Sequence, residues 1–69
     1  MTHLSPEVAA MILKGSGQTL AQLGKLLGVD QSEVSRWKRL DRRMPLPAII
    51  LLEKYMAEGV IVVKAVDSS

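Results

Sequence analysis

Between Gln31 and Arg39 the chain places Gln31, Ser32, Ser35, Arg36, Lys38 and Arg39 around an apolar stripe made only of Val34 and Trp37. On a helix, two apolar residues at i and i+3 make a narrow seam and leave a wide face to the polar groups. An ordinary solvated face alternates acids with bases, and this one does not. Its amides, hydroxyls and guanidinium groups donate and accept hydrogen bonds, but none is a nucleophile with a base beside it. Cysteine is absent, and the single histidine, His3, lies near the start, where fraying is expected. Disulfides, thiolate sites and histidine triads therefore have no material, and no metal or cofactor is expected. Asp30 and Glu33 have the spacing of a capping box, a structural role. Catalysis is not expected.

The elements that must hold this face can be read from their start and stop signals. Ser5-Pro6-Glu7 opens a first helix, expected over Pro6 to Lys14, and Gly15-Ser16-Gly17 ends it. That glycine pair lacks the Gly-Lys-Ser/Thr ending of a phosphate loop and follows a helix, so it reads as a turn. Thr19 with Gln22 forms a capping box for a second helix, whose Leu20, Leu23 and Leu27 share a face and which Gly28 closes. Asp30 opens the third, polar helix. After a basic loop from Leu40 to Met44, Pro45-Leu46-Pro47 starts a fourth helix running to about Glu58, apolar around much of its girth, and Gly59 ends it. Residues 60–66 are rich in β-branched side chains and predict a strand. A lone strand cannot satisfy its own backbone, so pairing with a two-fold-related copy is expected, with Tyr55, Val60, Ile61, Val62 and Val63 at the seam. The alternative is an extended arm that covers the core.

The expected architecture is thus one mainly α domain over residues 1–69: four short helices and a C-terminal dimerisation strand. At 69 residues, with 48% hydrophobic and 23% charged side chains, an ordinary soluble domain is expected. The longest apolar run, Pro45 to Leu52, is too short to span a bilayer, and the start does not read as a secretory signal. Net charge is only +2, but its placement is uneven. Arg36 to Arg43 holds five basic residues and one acid, while the other 61 residues carry four basic and six acidic. That local excess is an electrostatic footprint suited to a polyanion.

Helices two and three are separated by Gly28-Val29-Asp30 alone, the arrangement of a helix-turn-helix. Gly24 supplies the small residue where the helices cross, and Leu23, Leu27, Val29, Val34 and Trp37 fill the angle between them. The segment from Leu23 to Arg39, above all Gly-Val-Asp-Gln-Ser running into Val-Ser-Arg-Trp-Lys-Arg, resembles the DNA-binding motif of phage Cro proteins and lysogeny activators in the lambda-repressor-like group. The resemblance covers about Thr19 to Tyr55. Alanine is commoner than glycine at the position of Gly24. The tail looks more like Cro, whose members can dimerise through C-terminal strands, than like the activators.

The resemblance implies a recognition helix in the major groove of double-stranded DNA, with Gln31, Ser32, Ser35 and Arg36 at the base edges. The chemistry agrees: glutamine can pair adenine bidentately, arginine can grip guanine, and serine can serve either base class. Lys38, Arg39, Arg42 and Arg43 are expected at phosphates, with Arg39 also able to reach a base. Gln18 and Thr19, at the amide end of the second helix, are expected there too. Trp37 shares its stripe with Val34 and is expected in the core. Together these imply a homodimeric transcription regulator, a Cro-like repressor occluding a promoter at an inverted repeat, in the cytoplasm of a bacterial host. The alternative is a small interaction module, such as an antitoxin or anti-regulator, holding a partner through the fourth helix and tail.

Overall fold

The computed structural model describes residues 2–64. They form four α-helices: α1 (Pro6–Gly15), α2 (Leu20–Leu27), α3 (Gln31–Lys38) and α4 (Leu46–Ala57). The fold is mainly α, and none of these helices is long and apolar enough to cross a membrane.

The start signals of α1 and α2 act as expected. Ser5 Oγ accepts the Val8 amide at 3.2 Å ahead of Pro6, and Glu7 stands in the first turn. Thr19 Oγ1 accepts the Gln22 amide at 3.1 Å while Gln22 Oε1 accepts the Thr19 amide at 3.0 Å. The helix α1 runs one residue past its expected end, because buried Ser16 returns its hydroxyl to the Leu13 carbonyl at 2.9 Å.

Asp30 and Glu33 behave differently. Asp30 makes no side-chain cap; its Oδ2 accepts the Ser32 hydroxyl at 2.5 Å. Glu33 reaches away to Arg42 Nη1 at 3.2 Å. The expected capping box is not formed, since a guanidinium offers a carboxylate a stronger, charge-assisted bond than a backbone amide does.

Between α2 and α3, Gly28 takes φ 73° and its neighbour Val29 donates to the Gly24 carbonyl at 2.9 Å. The turn folds back so closely that a Cβ on Gly24 would stand 2.7 Å from the Val29 carbonyl oxygen. Gly24→Ala therefore sets a helix-propensity gain of up to about 1 kcal/mol against overpacking of about 1–3 kcal/mol on backbone that cannot rotate aside. A net loss is expected, read as a melting point lower by several degrees; a higher one would show that the turn yields.

One core joins all four helices, with Leu13, Leu23, Leu52, Ile61 and Val34 fully buried and Trp37 2% exposed at its base. Trp37 Nε1 has no hydrogen-bond partner among the described residues. The end of α3 is closed by Leu40 at φ 60°, with the Leu40 and Asp41 amides donating to Trp37 and Arg36 carbonyls at 3.1 and 2.9 Å. Glycine is the usual residue in that position; leucine there costs about 1–2 kcal/mol.

The tail departs from expectation. No strand is formed over residues 60–64, and residues 65 and 66 of the expected strand lie outside the described residues. The chain turns at Gly59, the Val60 and Ile61 amides donate to the Tyr55 carbonyl at 2.9 and 3.3 Å, and Lys64 donates to the Gly15 carbonyl at 2.7 Å. Ile61 is fully buried in its own chain, and half-buried Tyr55 donates its hydroxyl to the Leu26 carbonyl at 2.9 Å. Two of the five side chains expected at the seam, Tyr55 and Ile61, therefore hold the single chain together, while Val60, Val62 and Val63 remain exposed. Branched residues fit a pleated surface when a neighbouring strand provides one, and this chain provides helix ends instead.

His3 is not frayed. Its Nδ1 lies 2.8 Å from Glu53 Oε1 on α4, whose Oε2 accepts the Leu4 amide at 2.8 Å. The His3 bond, followed by the Leu4 amide, holds the Glu53 carboxyl below its usual range. A depressed carboxyl stabilises the fold above its unfolded value of about 4.5 and loses that contribution as pH falls through the lowered one. Glu53→Gln should melt earlier than the parent chain near neutrality, and the difference should close as pH falls below about 4.5 and through the lowered value. A gap independent of pH would assign the effect to packing.

Candidate nucleic-acid interface

The polar face of α3 lies opposite its anchors. Val34 is fully buried and Trp37 nearly so, while Gln31, Ser32, Arg36 and Arg39 are exposed and Ser35 half-buried. At 100° per residue the five polar residues spread over an arc of about 140° centred away from the core. The four residues expected at base edges thus share one accessible face.

Their hydrogen-bonding capacity is partly committed. The Ser32 proton goes to Asp30, leaving its oxygen as an acceptor for an amino group. That same bond is the main reason the Asp30 carboxyl is held below its ordinary range, with Arg36 contributing less. Asp30 therefore keeps its charge at the head of the face. Arg36 Nη1 stands 3.7 Å from Glu33 Oε1, with half its side chain exposed. No partner claims the Gln31 side-chain amide group among the described residues.

The basic loop is less free than its sequence implies. Arg42 is paired with Glu33, and Arg39 Nε donates to Asp41 Oδ2 at 3.0 Å. Exposed pairs of this kind are worth about 0.2–1 kcal/mol, so a phosphate can displace either carboxylate. Arg43 is exposed and Lys38 half-buried, and neither has an ion-pair partner among the described residues. Glu33, placed between two arginines, is the site residue that spacing did not disclose. Its i+3 relation to Arg36 was readable, but the loop that returns Arg42 was not.

At the start of α2 the placements differ. The Thr19 amide and hydroxyl oxygen serve the capping box, so its hydroxyl proton remains, beside the Leu20 and Ala21 amides that lack intrahelical acceptors. Gln18 is diverted: its Nε2 donates to the Val60 carbonyl at 3.1 Å and ties the tail to the α1–α2 turn.

The chain matches no family model, and no curated protein or solved structure shows significant similarity to it.

Proposed function

We propose that the chain is a sequence-specific DNA-binding transcription regulator, acting as a homodimer on an inverted-repeat operator and repressing by promoter occlusion in the manner of Cro. In this reading α2, the Gly28 turn and α3 are a helix-turn-helix, with α3 as the recognition helix. The observation that carries it is the exposed Gln31, Ser32, Ser35 and Arg36 face of α3, held from behind by buried Val34 and Trp37. Such an element offers a major groove donors and acceptors on a rigid support. Lys38, Arg39, Arg42 and Arg43 supply phosphate contacts beside it, and the α2 amide end with Thr19 supplies another. The molecule measures 31 × 29 × 21 Å, so two copies side by side along a longer axis have centres about 30 Å apart, close to the DNA turn of about 34 Å between equivalent grooves. No catalytic role or cofactor is assigned, and the bacterial cytoplasm is the compartment this role implies.

The interaction-module reading rests on different residues. Leu46 and Ile50, one turn apart on α4, are 51% and 44% exposed and would face a protein partner. The two readings separate at Arg42. On DNA, Arg42→Ala should weaken binding to every sequence alike and lower the salt dependence by about one unit on a logarithmic scale, the contribution of one phosphate. An unchanged slope rejects the phosphate contact, and absence of binding at low salt favours the protein partner.

A further inference from the structure

We infer that the outer face of α1, with Val63 laid beside it, is the surface on which a second copy of this chain seats. This deepens the proposed function and rests on its two-fold dimer. The exposed stripe of α1 is Glu7, Val8, Met11 and Lys14, the i, i+1, i+4 and i+7 positions of one helix face. A stripe turned to water carries polar residues; this one has Met11 at its centre, 66% exposed, with Val8 at 43% and Val63 at 46%. These three, with Ile12 and Gly15, line a shallow apolar depression of about 290 Å³.

Charge order selects the occupant. Glu7 stands at the N-terminal end of the stripe and Lys14 at the C-terminal end, and neither has an ion-pair partner among the described residues. A two-fold axis at Met11 lays the two α1 helices antiparallel, so each Glu7 meets the partner's Lys14 and the two methionines meet each other. Self-complementarity of that kind is what an isologous interface requires. The exposed stripe of α4 lacks it, since the acid in line with Leu46 and Ile50 is Glu53, whose carboxylate is already held by His3 and the Leu4 amide. Spacing agrees as well. The inner side of α1 packs on α3, so the order across the seam is α3, α1, the partner's α1, the partner's α3. Three successive helix packings of 8–10 Å set the two α3 helices about 24–30 Å apart, approaching the roughly 34 Å between half-sites. The tail thus contributes to the seam through Val63 without forming a strand.

Sedimentation equilibrium of the full chain tests the seam. The parent chain should dimerise at micromolar concentration, and Met11→Lys should weaken the dimer at least about 30-fold, as loss of a central contact used twice does. Glu7→Lys should weaken it similarly, and Glu7→Lys combined with Lys14→Glu should restore it, with circular dichroism unchanged throughout because all these positions are exposed. A parent chain that stays monomeric at tens of micromolar overturns the inference. So does a dimer that Met11→Lys leaves intact, or one that Val62→Asp alone dissociates. DNA binding is measured on the same samples. A monomer that still binds a half-site sinks the seam and spares the DNA reading; a sound dimer that binds no DNA does the reverse.

Discussion

Trp37→Ala is expected to strip the chain of a large part of its stability, whereas Trp37→Phe should fold and bind. Trp37 is 2% exposed and belongs to the core cluster that joins the helices. Removing such a side chain costs about 3–5 kcal/mol, the lost burial plus the cavity left behind. A domain of this length has roughly 3–10 kcal/mol of stability in total, so the alanine variant loses from about a third to all of it. Phenylalanine keeps the ring in place. It also removes an indole N–H that is buried without a partner, and an unsatisfied buried donor costs about 1–3 kcal/mol. The lost volume and the relieved donor oppose each other, and a net change under about 1.5 kcal/mol is expected from these terms. Urea unfolding followed by circular dichroism measures both variants. If phenylalanine proves as damaging as alanine, the N–H has a partner and the balance drawn here is wrong.

Arg36→Ala is expected to act on recognition and not on folding. The guanidinium is half exposed, has Glu33 at 3.7 Å as its one ion-pair partner among the described residues, and lies on the accessible side of α3. An arginine paired bidentately with guanine contributes about 1–3 kcal/mol of discrimination, or roughly 5- to 150-fold. The variant should therefore lose operator affinity by that factor, tolerate any base at one position in each half-site, and keep its melting temperature. Equal weakening on every sequence would make Arg36 a phosphate contact and move base readout elsewhere on α3.

Much of this was legible in the sequence because the signals were local. Ser5-Pro6, Thr19 with Gln22, Asp30 and Pro45-Leu46-Pro47 mark the starts of α1 to α4 within a few residues, and Gly28 the end of α2. The inward stripe of Val34 and Trp37 fixed which face of α3 remains outside. What the sequence did not disclose depends on chain return. Glu53 meets His3 across 50 residues, and Glu33 meets Arg42 across nine. No periodicity encodes either. Leu40 occupies a left-handed position that glycine would have announced. The tail misled because branched residues are shared by strands and by arms packed on helix ends, and only the burial of Ile61 separates the two.

Those charge pairs also sharpen the electrostatic picture. The cluster from Arg36 to Arg43 is basic by count, yet Glu33 and Asp41 hold three of its arginines, Arg36, Arg39 and Arg42, in the free chain. In the proposed role, binding DNA would exchange these carboxylates for phosphates, and affinity should depend strongly on salt.

Selection of bound sites from a pool of random duplex DNA, using the purified full chain, tests the central claim most directly. The account predicts one enriched inverted repeat with half-site centres about 10 base pairs apart, matching two recognition helices on one face of the duplex. A pool that emerges with no enriched sequence would contradict it.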